Sequence, residues 1–150
     1  MEGDGHMAGT MVEFSHNSGK VPGYLSLPGT TPAPGVLVIQ EWWGLEPHIR
    51  DVADRFAAEG FVALAPDLYH GRVATEPDEA RKLAMELEYD RAVSEIDAAT
   101  GALLCRPDVR GPKVGIVGFC MGGGLALLTA CRSERVGAAV VYYGRIPDPI

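Results

Sequence analysis

The sequence has few cysteines, no excess of positive charge and no long apolar run. Its 150 residues include three cysteines and no Cys-x-x-Cys pair, so we expect no structural disulfide or metal site and a reducing, cytoplasmic location. The net charge of -7 disfavours binding to nucleic acid. No apolar run approaches the roughly 20 residues that span a bilayer, and we therefore expect no membrane partner.

What is present is the composition of one globular domain, with 47% hydrophobic and 22% charged residues. The first residues are acidic and rich in glycine, unlike a secretory signal. We predict a flexible leader over residues 1–9 and, over residues 10–150, the N-terminal portion of a single α/β domain, because such domains often need roughly 200–250 residues.

Apolar periodicity predicts an α/β fold. Continuous apolar runs, typical of strands covered on both faces, occupy residues 36–39, 61–65, 114–117 and 136–142. Helical spacing predicts one helix from Pro47 to Gly60 and a helical region from about Pro77 to Leu104, broken near Glu88. Alternating strands and helices predict a mostly parallel sheet with helices on both faces.

The most specific pattern lies at residues 114–128, where an apolar strand, the turn Gly118-Phe119-Cys120-Met121-Gly122 and an apolar helix follow one another. This is the order of a nucleophile elbow, with cysteine in the place of serine. A Cβ at either flanking glycine would collide where helix and strand nearly touch. Cys120 would project from the strand end, with a helix N-terminus behind it that favours the thiolate. We predict that Cys120 is a nucleophile.

Three further motifs accompany this elbow. The four segments are QEWWGL at 40–45, APDLYHG at 65–71, GIVGFCMGG at 115–123 and VYYG at 141–144. In this order and spacing they closely resemble the dienelactone hydrolases, whose fold is that of the α/β hydrolases. The resemblance covers nearly the whole chain after the leader.

The resemblance implies that Cys120 attacks a lactone or ester and forms an acyl-enzyme, with no cofactor or metal. It places Glu41 where a glutamate contacts the resting thiol and can take its proton, and it places the oxyanion hole at the backbone N–H groups of Trp42 and Met121. The aspartate and histidine of the family's triad come later in the chain. The four histidines here all precede Cys120, so the histidine's role is carried onto none of them. The aspartate's role is likewise carried onto no residue of this sequence.

Other side chains have weaker claims. Arg72 could pair with the carboxylate of an acidic substrate, and Trp43 could line a substrate pocket. Asp67 is expected to bond loop amides, and His70 is expected at the surface. Buried packing positions are expected for Cys105 and Cys131, and a solvated helix face is expected for Arg91, Glu95 and Asp97.

Two other roles remain open. The chain could be an inactive fragment or structural half, since a strand at 136–142 with an uncovered apolar edge would pair with a complementary segment or form a homodimer with a second copy. It could also be a redox-sensing thiol protein, which would require a resolving thiol near Cys120.

Overall fold

A single mixed sheet organises the protein. The computed structural model describes residues 9–17 and 19–146; the rest of the predicted leader and the last four positions of the predicted domain lie outside the described residues. The strands are β1 (Thr10–His16), β2 (Gly19–Ser26), β3 (Ala33–Ile39), β4 (Val62–Pro66), β5 (Val109–Phe119) and β6 (Val136–Tyr142). The helices are α1 (Pro47–Ala58), α2 (Pro77–Glu86), α3 (Tyr89–Leu104) and α4 (Met121–Arg132).

The strand order in the sheet is β1-β2-β4-β3-β5-β6. The pairs β1–β2 and β2–β4 are antiparallel, whereas β3 pairs in parallel with β4 and β5, and β5 with β6. The carboxyl ends of β3, β4 and β5 therefore meet at one edge of the sheet, where ligands bind in open α/β sheets.

Local sequence sets the helix boundaries much as predicted. Pro47 occupies the first turn of α1, where its missing N–H costs nothing, and Gly60 follows the helix with a φ of 101°. The predicted break in the long helical region is confirmed, because Leu87 and Glu88 are extended between α2 and α3.

Alternate residues of β3 enter two different cores. Leu37 and Ile39 pack in the cluster that includes side chains of α2, α3 and α4, whereas Val36 and Val38 pack in the cluster that includes α1. The period of two in a strand sends successive side chains to opposite faces. The prediction of a mostly parallel sheet with helices on both faces is thereby confirmed.

The last strand, β6, lies at the edge of this sheet with β5 as its neighbour. Every residue from Gly137 to Tyr142 is exposed, including Val140 at 51% and Tyr142 at 49%. The expected apolar edge is thus present, and its pairing with a second copy stays a prediction. Within the described residues, no helix combines the length and the hydropathy needed to cross a bilayer.

Candidate active site

Cys120 stands at the junction of β5 and α4 in a backbone conformation that a non-glycine residue rarely adopts, with a φ of 57°. Its side chain is exposed. Its N–H donates to the carbonyl oxygen of Tyr142 at 2.9 Å, and its own carbonyl accepts from the N–H of Gly123 at 2.9 Å. The backbone is therefore fixed on both sides while the side chain stays exposed. Strain of this kind is typical of a functional position.

The two flanking glycines are required by close backbone contact. A Cβ on Gly118 would overlap the carbonyl of Gly122, and a Cβ on Gly122 would overlap the carbonyl oxygens of Ile39 and Gln40. The predicted steric role of both glycines is confirmed. The adjacent Gly123 would place a Cβ 3.0 Å from the Cα of Gly144, so the start of α4 packs directly on the strand ends.

Glu41 follows β3 and reaches toward the end of β6. Its Oε2 accepts a hydrogen bond from the hydroxyl of Tyr143 at 2.8 Å. This bond raises the pKa of Tyr143, and burial and the charges of Glu41 and Cys120 act in the same direction. Within the described residues no hydrogen bond joins Glu41 to Cys120, so a contact between carboxylate and thiol stays a prediction.

Trp42 and Met121 approach the same region from different elements, the first from the loop after β3 and the second as the first residue of α4. Within residues 9–17 and 19–146, neither backbone N–H has a hydrogen-bond acceptor. Both residues contact the phenol of Tyr69, whose hydroxyl donates to the carbonyl of Trp42 at 3.0 Å and lies 3.8 Å from the sulfur of Met121.

Sequence reasoning did not single out Tyr69 as a site residue. The side chain is 7% exposed, and burial, followed by the charges of Tyr89 and Cys120, raises its pKa to about 12. The signal that could have identified it is its place two residues after Asp67, in the motif at the end of β4. A buried phenol usually has a hydrogen-bond partner.

Asp67 and Gln40 accept hydrogen bonds from the turn that follows β4. Asp67 accepts hydrogen bonds from the N–H groups of Tyr69 at 3.2 Å and Gly71 at 2.7 Å, as expected for it. Burial raises the pKa of Asp67, although these amides and His70 partly oppose the shift. The fully buried Gln40 accepts from the N–H of Leu68 at 3.0 Å, which ties the end of β3 to the end of β4.

Arg72 and Trp43 lie beside this network. Arg72 is exposed and forms a 3.5 Å ion pair with Glu86. It lines a cleft of about 350 Å³, and Cys120 is not among the residues lining that cleft. The ring of Trp43 packs edge-on against Trp42 with 5.7 Å between centroids. A substrate contact of either side chain stays a prediction.

The expectation that Glu95 belongs to a solvated helix face is wrong. Its side chain is 1% exposed and bonds the imidazole of His70 at 2.9 Å and the guanidinium of Arg91 at 2.8 Å. The reason is tertiary, because α3 packs against the turn that follows β4. His70 does lie at the surface, as expected, with a φ of 52°.

The expectation that Cys105 and Cys131 are buried is also wrong, since both are exposed. Cys105 caps α3 and Cys131 is the penultimate residue of α4, where each helix leaves the packed layer. Among the described residues, no group of three or more His, Cys, Asp or Glu side chains is arranged to hold a metal ion.

The mixed sheet with flanking helices defines an α/β-hydrolase fold, in which the exposed Cys120 lies at a glycine-flanked turn between β5 and α4. Residues 21–150 match the profile of the dienelactone hydrolase family. The chain belongs to this family.

Individual relatives agree with this assignment. The chain is 43% identical over 145 residues to protein usf of Aquifex pyrophilus, covering 91% of this chain and 62% of that protein. It is 31% identical over 150 residues to a carboxymethylenebutenolidase of Pseudomonas putida, covering 94% of this chain and 57% of that protein. The chain thus spans about 60% of the length of these relatives.

Solved structures give the same result. A structure named m3DLH superposes with a TM-score of 0.85 at 30% identity, covering 97% of this chain and 63% of that one. A dienelactone hydrolase-like promiscuous phosphotriesterase from metagenomic libraries superposes with a TM-score of 0.82 at 30% identity, covering 93% of this chain and 60% of that one.

Proposed function

We propose that this chain carries the nucleophile and oxyanion hole of a hydrolase that cleaves a lactone or ester through a cysteine acyl-enzyme. The observation that carries the proposal is the exposed Cys120 at a φ of 57°, between glycines that admit no side chain. Membership of the dienelactone hydrolase family and the resemblance to a carboxymethylenebutenolidase support the same reaction class.

In the acylation step the thiolate of Cys120 attacks the carbonyl carbon. A bond forms between Sγ and that carbon, the bond to the ester oxygen breaks, and the leaving alkoxide takes up the proton that the thiol released. In a lactone the leaving oxygen stays tethered to the acyl chain. Water then hydrolyses the thioester and restores the thiol. The family resemblance assigns the activation of that water to a histidine and an aspartate that we place on no residue here.

Two backbone groups can stabilise the tetrahedral intermediate. The N–H groups of Trp42 and Met121 are unpaired among the described residues, and an elbow generally uses the N–H of the residue after the nucleophile. Removing one such donor typically costs about 3 kcal/mol of transition-state stabilisation. Both N–H groups are therefore assigned to the oxyanion hole.

Glu41 is assigned to control of the thiol. A carboxylate beside a thiol opposes the thiolate, and the two groups can share a proton. The hydrogen bond from Tyr143 stabilises the carboxylate on the side of β6. Glu41 therefore has two candidate partners, the thiol and the phenol, and the balance between them would set the reactivity of Cys120.

The test is acylation of the 150-residue chain by p-nitrophenyl acetate, followed by intact-mass and peptide-mass measurement. One acetyl group should appear on Cys120, with release of one equivalent of p-nitrophenol, and Cys120→Ala should abolish both. Cys105→Ala and Cys131→Ala are matched controls, since both thiols are exposed but lie outside the elbow. Equal acetylation of all three cysteines would contradict the proposal.

A further inference from the structure

Tyr69 contacts both residues of the proposed oxyanion hole, although they come from distant parts of the chain. Its hydroxyl donates to the carbonyl of Trp42 at 3.0 Å and lies 3.8 Å from the sulfur of Met121. Trp42 belongs to the loop after β3 and Met121 to the first turn of α4. A third element, the turn after β4, thus holds these two together.

The turn that carries Tyr69 is itself fixed. The carboxylate of Asp67 accepts from the N–H groups of Tyr69 and Gly71, and Gln40 accepts from the N–H of Leu68. Asp67 is 5% exposed and Gln40 is fully buried. The bonds that Tyr69 and Leu68 donate to Asp67 and Gln40 are buried, so the phenol projects from a rigid base.

The loop that contains Trp42 passes directly over the ring of Tyr69. Gly44 has a φ of 105°, and a Cβ there would lie 3.2 Å from Cδ2 of Tyr69 and 2.8 Å from the carbonyl oxygen of Arg72. The N–H of Ala74 also donates to the carbonyl of Trp43 at 2.9 Å. The two loops therefore pack as one layer, with the phenol between them.

The protonation state of the Tyr69 hydroxyl allows it to donate a hydrogen bond at all times. Its pKa of about 12 keeps the hydroxyl protonated throughout the pH range of ester hydrolysis, so the bond to Trp42 persists. The bond from Tyr69 holds the peptide plane after Trp42. The plane before Trp42, which carries its N–H, is held by the carbonyl of Glu41, which accepts from the N–H of Gly44 at 3.2 Å. Together the two bonds restrict the rotation of Trp42 and hence the direction of its N–H. Oxyanion donors accelerate a reaction only when they are already oriented.

We propose that Tyr69 is the positioning residue that holds Trp42 and Met121 together as one oxyanion hole. This inference rests on the proposed function above. In this role Tyr69 acts through the two residues that it contacts.

Two reactions of the same thiol separate this role from general support of the fold. Acylation by p-nitrophenyl acetate forms an oxyanion, whereas alkylation by iodoacetamide is a direct displacement that forms none. In Tyr69→Phe we expect acylation of Cys120 to slow by about tenfold or more, while alkylation stays within about twofold of wild type.

Tyr24→Phe is the matched control. Tyr24 is also buried, and its hydroxyl bonds the carboxylate of Asp54 at 2.9 Å, in the core on the α1 side. Removing that hydroxyl should leave both rates unchanged. If acylation and alkylation fall together in Tyr69→Phe, or if neither changes, the positioning role is overturned.

A separate measurement tests the role of Tyr69 independently of the proposed function. Failure of the wild-type chain to be acylated, despite alkylation of Cys120, would refute the hydrolase proposal. Amide hydrogen exchange then tests Tyr69 alone, because the N–H of Gly44 donates to the carbonyl of Glu41 at 3.2 Å and reports the order of that loop. Exchange at Gly44 should accelerate in Tyr69→Phe and not in Tyr24→Phe; equal exchange in both would overturn the inference.

Discussion

The elbow and the edge strand β6 meet at the same site but differ in how they are held. At the elbow, Gly118 and Gly122 lie so close to backbone atoms that neither position has room for a Cβ. On β6, by contrast, Val140 is 51% exposed and Tyr142 is 49% exposed. One wall of the site is close-packed within the chain, and the other is a strand with much of its surface open.

This difference matters because β6 supplies contacts that the elbow needs. The carbonyl of Tyr142 accepts the N–H of Cys120, and Tyr143 bonds Glu41. Close packing fixes the backbone of Cys120, whereas Glu41, which is proposed to control the proton of the thiol, is bonded from the open side. We therefore expect substitutions at the elbow to affect folding and substitutions at the end of β6 to affect reactivity.

The largest expected effect is that of Gly118→Ala. The new methyl group would overlap the carbonyl of Gly122, and we expect a loss of about 3 kcal/mol or more in the free energy of unfolding. Gly115→Ala on the same strand and Gly137→Ala on β6 meet ordinary or side-chain contacts and should each cost about 1 kcal/mol or less. Urea denaturation of all three variants measures this, and equal costs would remove the contrast between the two regions.

The next effect concerns association through the open edge. If two copies pair along β6, light scattering should show a dimer whose Kd rises about tenfold or more in Val140→Lys, since a charge on an edge strand opposes pairing. Met85→Lys is the control, because Met85 is a 79% exposed apolar residue on α2. A monomer at all concentrations would show that β6 does not mediate self-association.

The comparison extends to two carboxylates on α3, of which Glu95 is buried and Asp97 is half-buried. Glu95→Gln removes the charge between His70 and Arg91, and we expect the free energy of unfolding to fall by about 1–2 kcal/mol. The loss is limited because both partners are partly solvated. Asp97 pairs with Arg135 beside β6 at 2.9 Å, and both side chains are over 40% exposed. Asp97→Asn should cost under about 1 kcal/mol. Thermal unfolding measures both variants, and a lower Tm for Asp97→Asn than for Glu95→Gln would contradict this order.

The smallest effect is on the rate of thiol alkylation. In Tyr143→Phe the carboxylate of Glu41 loses its phenol partner and is freer to oppose the thiolate of Cys120, so the iodoacetamide rate at a fixed pH should fall by less than about tenfold. The adjacent Tyr142→Phe serves as the control, since Tyr142 stacks on Phe119. A decrease in rate of equal size in both variants would argue against a specific role for Tyr143.

Adjacent residues by themselves determined the elbow, the helix boundaries and the layering of the sheet. Gly118, Cys120 and Gly122 lie within five positions, and the carbonyl of Gly122 that excludes a side chain at Gly118 belongs to the same turn. Apolar periodicity likewise acts over short spans. These features were predictable because the forces that create them are local.

Only the tertiary structure decided which polar groups meet. Tyr143 bonds Glu41 across 102 positions and Tyr69 reaches Met121 across 52, while Glu95 is buried by a turn that lies 25 positions earlier. No periodicity relates such residues, because their distance depends on the order of strands in the sheet and on how α3 packs against it. A hydrogen bond needs its two atoms within about 3 Å, and that condition is met only after the sheet and its helices have assembled.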